Sequence, residues 1–428
     1  MTGDAGREAV REHYEELPYP ARDPLDERRR LIQEPLAQLP LVDHLFWGGR
    51  RLARGGLRVL DAGCGTGDAV ICLAEQLRGR GARIVAVDLS AASLAVAAKR
   101  ARVRGLEGIE FVSADLEDLP SLGLGEFDYI VLPGVLQHLA SPAEALRRLA
   151  GALAPDGGLG IRVYGRYGRT GVAQLREMLR LLAPPGEPTA ARLRAARRVL
   201  GRLRPEHPAR AYRDGWEREL RDNGGADGSA ALADLFLHPL ERAYTVPELY
   251  ARLGDAGLRL AAFDVPDAYE PRTYGVLDAE HLPPVERQAL AELLNGRMEH
   301  HRLFAQRAEA PVLPPSRPND ASAVPAWARY DPGRERDRVL ETGADLAVGT
   351  GEFARSLRLT PLAREILRRV DGRRSLGDIL DEVADAPGDG ARRRARREWE
   401  RLYRDLAGAG DLLLNSPPDA GRLAPRSV

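Results

Sequence analysis

The sequence predicts an α/β protein with a mostly parallel sheet and helices on both faces, and three observations carry that expectation. Val59-Leu60-Asp61-Ala62 is an apolar run that enters a glycine turn, Gly63-Cys64-Gly65-Thr66-Gly67, and a helical stretch follows over 69–77. Arg83-Ile84-Val85-Ala86-Val87-Asp88 is a second apolar run, so strand, turn, helix and strand come in order with a carboxylate at each strand tip. The alternation then repeats through residues 89–164, and such repetition implies crossover connections and parallel strands. Ligands in these sheets bind beyond the carboxyl ends of the strands, where Asp88 can grip a ribose diol.

A glycine turn with a downstream acid fits two cofactors. Glycine belongs there because positive φ and close backbone approach both exclude a Cβ. The dinucleotide fingerprint is G-x-G-x-x-G, with the pyrophosphate on the helix N-terminus. Here Gly63, Gly65 and Gly67 give G-x-G-x-G, and Asp61 stands just before the turn. A carboxylate beside a pyrophosphate is repelled, whereas beside a sulfonium and an ammonium it is attracted. The segment from Asp61 to Gly67 resembles the first motif, D/E-x-G-x-G-x-G, of the class I S-adenosylmethionine-dependent methyltransferases.

The resemblance implies a Rossmann-like, seven-stranded, mostly parallel sheet and an enzyme that turns S-adenosylmethionine into S-adenosylhomocysteine. It places Asp61, Gly63, Cys64, Gly65, Thr66 and Gly67 around the methionine part, with Asp61 near the ammonium. Asp88 takes both ribose hydroxyls, with Leu89 and Ser93 beside it. Asp115 and Leu116 match the positions that meet the adenine amino group and ring, and Pro133 stands at the tip of the fourth strand.

In chain order, residues 7–47 read as a helical preface broken at Pro18 and Pro20, and Tyr14 and Tyr19 flank a stiff, extended segment. That segment is either a packing arm or a lid; the Tyr-Glu-x-x-Pro-Tyr-Pro pattern resembles one found ahead of bacterial family members. An Ala-rich helix over 89–104 leads to a third strand over 109–112, and a fourth over 127–132 runs into Pro133-Gly134-Val135-Leu136-Gln137-His138-Leu139. Ser141, Pro142 and Glu144 open a helix over 140–154, and a fifth strand covers 159–164. Residues 166–243 read as an insertion, with helices over 172–182 and 189–204 whose apolar faces imply a cap rather than a loop. Thr245 and Glu248 form a capping-box signature, a sixth strand covers 258–265, a seventh is placed at 274–277, and a helix is read over 282–310.

Pro-rich residues 311–325 read as a linker. The tail reads as helix, turn, helix, helix and strand, which resembles small bacterial winged helices. The expected division is therefore an arm over 1–55, a methyltransferase domain over 56–280, a helix and linker over 281–344, and a small winged-helix-like domain over 345–428.

Composition narrows the function. The 63 basic and 63 acidic residues cancel, which gives no support for a nucleic-acid partner. Lys99 is the only lysine, which with the Ala and Gly load reads as codon bias. Cys64 and Cys72 are too few and too close for a disulfide framework or zinc site, so no metal is expected. Charged residues 1–16 lack a signal-peptide core and no apolar run reaches spanning length, so a soluble cytoplasmic protein is the expectation, with a homodimer as the candidate assembly.

Methyl transfer is an in-line displacement that asks for positioning and, with O or N acceptors, proton removal. His138 is the candidate base because an ordinary imidazole titrates near neutrality. Tyr14 and Tyr19 are further catalytic candidates; Arg162, Tyr164 and Tyr167 could orient substrate, and Arg166 and Arg169 could meet an anion. Leu132-Pro133-Gly134 replaces the Asn/Asp-Pro-Pro-Tyr/Phe motif of amino-methylating DNA enzymes, and neither cysteine is placed for cytosine chemistry. The expected substrate is thus a small molecule or a protein or peptide side chain. The alternative is a SAM-sensing regulator that binds a partner through its tail, where Arg392, Arg393, Arg394, Arg396 and Arg397 could meet phosphate.

Overall fold

The computed structural model describes residues 3–313, 316–350, 353–384 and 389–417. In chain order, α1 (Gly3–Glu16) and α2 (Leu39–Trp47) precede β1 (Arg58–Ala62), α3 (Asp68–Gln76), β2 (Arg83–Asp88), α4 (Ala91–Arg104), β3 (Ile109–Ser113) and β4 (Phe127–Pro133). Then come α5 (Pro142–Gly151), β5 (Leu153–Gly165), α6 (Thr170–Leu182), α7 (Thr189–Arg202), α8 (Arg213–Asn223) and α9 (Ser229–Leu237). A short β6 (Ala243–Tyr244), α10 (Val246–Asp255), β7 (Leu258–Phe263), α11 (Pro284–Asn295) and β8 (His300–Arg307) follow. The rest holds β9 (Val324–Trp327), α12 (Glu335–Thr342), β10 (Leu346–Val348), β11 (Arg355–Leu357), α13 (Pro361–Arg368), α14 (Leu376–Val383), α15 (Asp389–Gly408) and β12 (Leu412–Asn415).

The chain divides into two compact units. The first holds residues up to 37, 56–263 and 269–309. Its sheet runs β3-β2-β1-β4-β5-β8-β7, with β6 added alongside β5. Strands β1 to β5 pair in parallel, while β8 runs antiparallel between β5 and β7. Val59, Leu60, Val85, Ala86, Ile130 and Val131 are all buried, as befits strands covered on both faces. β1 lies between β2 and β4, so the chain reverses direction across the sheet at β1, and a crevice opens there beyond the strand ends.

The sheet therefore has eight strands rather than seven, and the final strand is not where the sequence placed it. Residues 271–274 form a 3-10 turn, α11 ends at Asn295 with Gly296 in the left-handed conformation, and β8 occupies residues read as helix. Leu303-Phe304-Ala305 is a short apolar run flanked by polar residues with fair helix propensity, which hid the strand. Caps also differ in detail. Thr245 and Glu248 make both halves of the capping box at α10. Ser141 makes no side-chain cap at α5, where Glu144 pairs with Arg147 and Arg148 instead.

In the second unit, α13, α14 and α15 bury Ile366, Leu367, Ile379, Leu380, Leu402 and Leu406 around Trp399, whose indole N–H donates to Pro318 O at 2.8 Å. β12 pairs antiparallel with β9, so part of the Pro-rich stretch read as linker is strand. β10 and β11 form an antiparallel pair ahead of the helices. No helix among the described residues is long and apolar enough to cross a membrane.

Candidate functional site

The glycine turn follows β1 directly. Gly63, Gly65 and Gly67 have φ of 80°, 51° and 97°, a region that side chains rarely adopt. The turn is also crowded: a Cβ on Gly63 would lie 2.5 Å from Val135 Cγ2, and one on Gly65 would lie 2.8 Å from Tyr19 O. The backbone is thus held where only hydrogen fits.

The two expected acids flank this turn and behave differently. Asp88, at the tip of β2, accepts the Gly65 N–H at 2.7 Å on one oxygen and the Ser90 N–H at 2.9 Å on the other. Burial raises its pKa, and those amides work against the rise. Asp61 is 1% exposed and neither of its oxygens has a hydrogen-bond partner. Burial lifts its pKa well above the carboxylate range; the nearby Val70 amide eases this, while Glu34, Asp88 and Asp68 add to it. A partnerless buried carboxylate is costly in isolation, and a cationic ammonium is the group that relieves it. The residues present fit an amino-acid nucleoside of that charge.

Other cofactor candidates fall around the same crevice. Asp115 spends one oxygen capping the turn after β3, through the Glu117 N–H at 2.7 Å. Asp115 and Leu89 help line an open cavity of about 350 Å³, together with Arg7 and Arg11 of α1. Leu116 is buried, Pro133 is half-buried, and Ser93 Oγ is buried without a partner. Cys64 is buried, which pushes its thiol well up, and the thiol faces Gly65 O at 3.6 Å. Thr66 is fully buried and its hydroxyl donates to Pro20 O at 2.7 Å, so its side chain ties down the arm.

The N-terminal arm is held by ions as well. Arg22 grips Asp68 with two nitrogens, the closest approach being 2.7 Å. Arg100, 1% exposed, bridges Asp68 and Glu27, and Arg104 adds a second contact to Glu27. Ala91 and Ala92, the first residues of α4, donate to the Glu15 carboxylate, and Ser90 Oγ donates to Tyr14 O. These contacts lay residues 14–22 across the cofactor crevice.

Beyond the arm lies a buried polar cluster that unites three expected residues with three that the sequence reading missed. Tyr14 and Tyr164 donate to the two oxygens of Asp234, at 3.0 and 3.3 Å. Burial raises Asp234 to about 7. His138 approaches Leu240 O through Nδ1 at 2.8 Å and lies against His238, ring centres 3.8 Å apart. His13 packs edge-on against both Tyr14 and His238. Asp234 is the lone acid in an apolar helix, Ser-Ala-Ala-Leu-Ala-Asp-Leu-Phe-Leu, buried from Ala230 to Leu237, and that isolation is the signal that could have found it.

Several expected roles change in this setting. Burial lowers His138 to about 4, so the near-neutral titration on which a base role rested is gone. Tyr14 and Tyr19 have phenols pushed well up by burial and remain donors, Tyr19 to Glu219. Arg162, expected to orient substrate, pairs with Glu34 at 3.2 Å, and the two arginines expected to meet an anion pair with acids, Arg166 with Glu248 at 2.6 Å and Arg169 with Glu241 at 3.0 Å. Arg169 also lies over the Tyr164 ring, 3.5 Å from its centre. Tyr167 offers its carbonyl to Tyr212 and Thr170 rather than its ring to this cluster.

Comparison with known proteins adds the following. Residues 53–211 match the family model described as a methyltransferase domain. An uncharacterised protein of Synechococcus sp. (strain ATCC 27144 / PCC 6301 / SAUG 1402/1) is 34% identical over 278 residues, 63% of this chain and 64% of that protein. The ubiquinone biosynthesis O-methyltransferase of Caulobacter sp. (strain K31) is 40% identical over 110 residues, 26% of this chain and 42% of that enzyme. The chain thus spans less than two-thirds of either relative. PKMT2 from Rickettsia typhi, solved in complex with AdoHcy, shares the fold with a TM-score of 0.62 at 16% identity, over 90% of this chain and 76% of that one.

Proposed function

We propose that this chain, whose residues 53–211 match the methyltransferase domain family, is a class I, S-adenosylmethionine-dependent methyltransferase that transfers a methyl group to an O or N acceptor on a small molecule or a protein side chain. The observation that carries the reading is Asp61: a buried carboxylate with no partner, beside a turn that only glycine can make.

In this reading Asp61 takes the ammonium, the Gly63–Gly67 backbone lies along the methionine part, and Asp88 accepts the ribose hydroxyls. Asp115 and Leu116 meet the adenine at the cavity beneath α1. Bound there, the cofactor supplies an electrophilic methyl on a sulfonium. The chain's own contribution is mainly positioning and exclusion of water. The arm closes the crevice through Thr66, Arg22 and Arg100, and the Tyr14, Tyr164 and Asp234 cluster forms the polar wall on the acceptor side. The Caulobacter relative, a ubiquinone biosynthesis O-methyltransferase, makes a small-molecule hydroxyl the first acceptor class to try, and a protein side chain is the second. The tail, read as a winged-helix-like module, is the part that would engage a macromolecular substrate.

Calorimetric titration with S-adenosylhomocysteine tests the reading. One site per chain is expected, with NAD giving no heat and Asp88→Ala abolishing the site. Binding that survives Asp88→Ala would defeat the assignment.

A further inference from the structure

We infer that His13, Asp234 and His238 form a binding site for one divalent transition-metal ion, with Tyr14, Tyr164 and the Leu240 carbonyl as its supporting shell. One ligand atom from each of the three lies within 4.8 Å of the others. A tetrahedral ion with bonds of about 2.1 Å would set such atoms about 3.4 Å apart, so the widest pair closes by about 1.4 Å at most.

The unused valences point inward. Nε2 of His13 and Nε2 of His238 are both buried and have no hydrogen-bond partner, and His238 as a whole is 2% exposed. A polar nitrogen left empty in a dry pocket costs free energy unless something takes it up. Nδ1 of His238 lies 2.5 Å from Leu240 O and also accepts the Leu240 N–H at 3.1 Å, so it has a partner in either tautomer. In the tautomer with the proton on Nδ1, directed at Leu240 O, Nε2 presents a lone pair, the form in which imidazole binds a metal.

The neighbouring groups can hold these side chains in place for an ion. Metal-bound histidines usually donate their remaining N–H to a carbonyl or carboxylate, and ligating carboxylates are themselves hydrogen-bonded. His238 has the former in Leu240 O, and Asp234 has the latter in the Tyr14 and Tyr164 hydroxyls. Each Asp234 oxygen keeps a further lone pair for an ion. The nearby cations are largely answered: Arg169 and Arg176 both pair with Glu241, at 3.0 and 3.2 Å. Two imidazoles and one carboxylate suit a borderline ion such as zinc or ferrous iron and leave positions open for water or an acceptor oxygen. The elements that supply the ligands are α1, α9 and the residue after α9, so an ion here would also fasten the arm to the cap.

Cobalt(II) is the probe, titrated into full-length, tag-free protein after chelator treatment, with visible absorption and elemental analysis as readouts. One equivalent per chain with intense d–d bands is expected, displaced by zinc. His13→Gln and His238→Gln should each lose the bands, and His281→Gln, on an exposed loop, should keep them. Thermal unfolding of every variant confirms folding; if His238→Gln does not fold, His13→Gln on the arm decides. Absence of a stoichiometric ion, or retention of it in both variants, overturns the proposal. This result is independent of nucleoside binding, so the two readings fail separately.

Discussion

Replacing Asp61 by Asn separates the two demands on that residue. The wild-type carboxylate is 1% exposed and partnerless, so the ligand-free fold bears the cost of burying it. An amide of the same shape carries no charge, and relief of an unsatisfied buried group contributes about 1–3 kcal/mol. Each kcal/mol moves the melting point by about 2 °C in a unit of this size. Ligand-free Asp61→Asn is therefore expected to melt higher than wild type. The sign with pH follows from the raised pKa. A carboxyl that holds its proton more tightly when folded gives its full stability below the ordinary carboxylate range, and loses it as pH rises through the raised value. The stability advantage of Asp61→Asn should therefore grow as pH rises. Binding should move the other way: loss of a charge-assisted hydrogen bond of about 1.5–3 kcal/mol weakens S-adenosylhomocysteine about 10- to 150-fold. Differential scanning calorimetry and isothermal titration on the same samples give both numbers. A variant that melts no higher than wild type and binds equally well would refute the account of Asp61.

Other substitutions probe the frame around the site. Arg100→Met strips a 1%-exposed guanidinium from Glu27 and Asp68, which keep Arg104 and Arg22; a loss of about 3 kcal/mol in denaturant unfolding is expected, and no loss would show the network is not stabilising. Gly65→Ala puts a Cβ at φ 51° and 2.8 Å from Tyr19 O, so it should cost about 1–3 kcal/mol and raise proteolysis of the arm; an unchanged digestion pattern would contradict the contact. Thr245→Ala removes half of the capping box at α10, with an expected cost of about 1 kcal/mol. Trp399→Ala empties the centre of the second unit's core, and a cost of about 3–5 kcal/mol should appear in the transition of that unit.

The glycine turn and its flanking acids were legible because they are local in sequence. A strand, three glycines and two strand-tip acids all lie between residues 58 and 88, and the apolar runs of β1 to β5 mark strands covered on both faces. The buried polar cluster was not legible in this way. His13, His138, Tyr164 and the Asp234–His238 pair come from four separate segments, and only folding brings them together. Tyr14 was singled out for its phenol, but nothing in the sequence tied it to Asp234, whose one signal is its isolation in an apolar helix. His138 shows a second limit: its identity suggested a base, while its titration is set by burial that the sequence does not display. β8 shows a third, since polar ends around a short apolar run read equally well as helix until Gly296 is recognised as a helix stop.

The most direct measurement is a crystal structure of the chain with S-adenosylhomocysteine. The account predicts the ligand ammonium on Asp61, both ribose hydroxyls on Asp88 and the adenine beside Asp115 and Leu116. A nucleoside bound elsewhere, or an Asp61 that still faces no partner with the ligand in place, would contradict it.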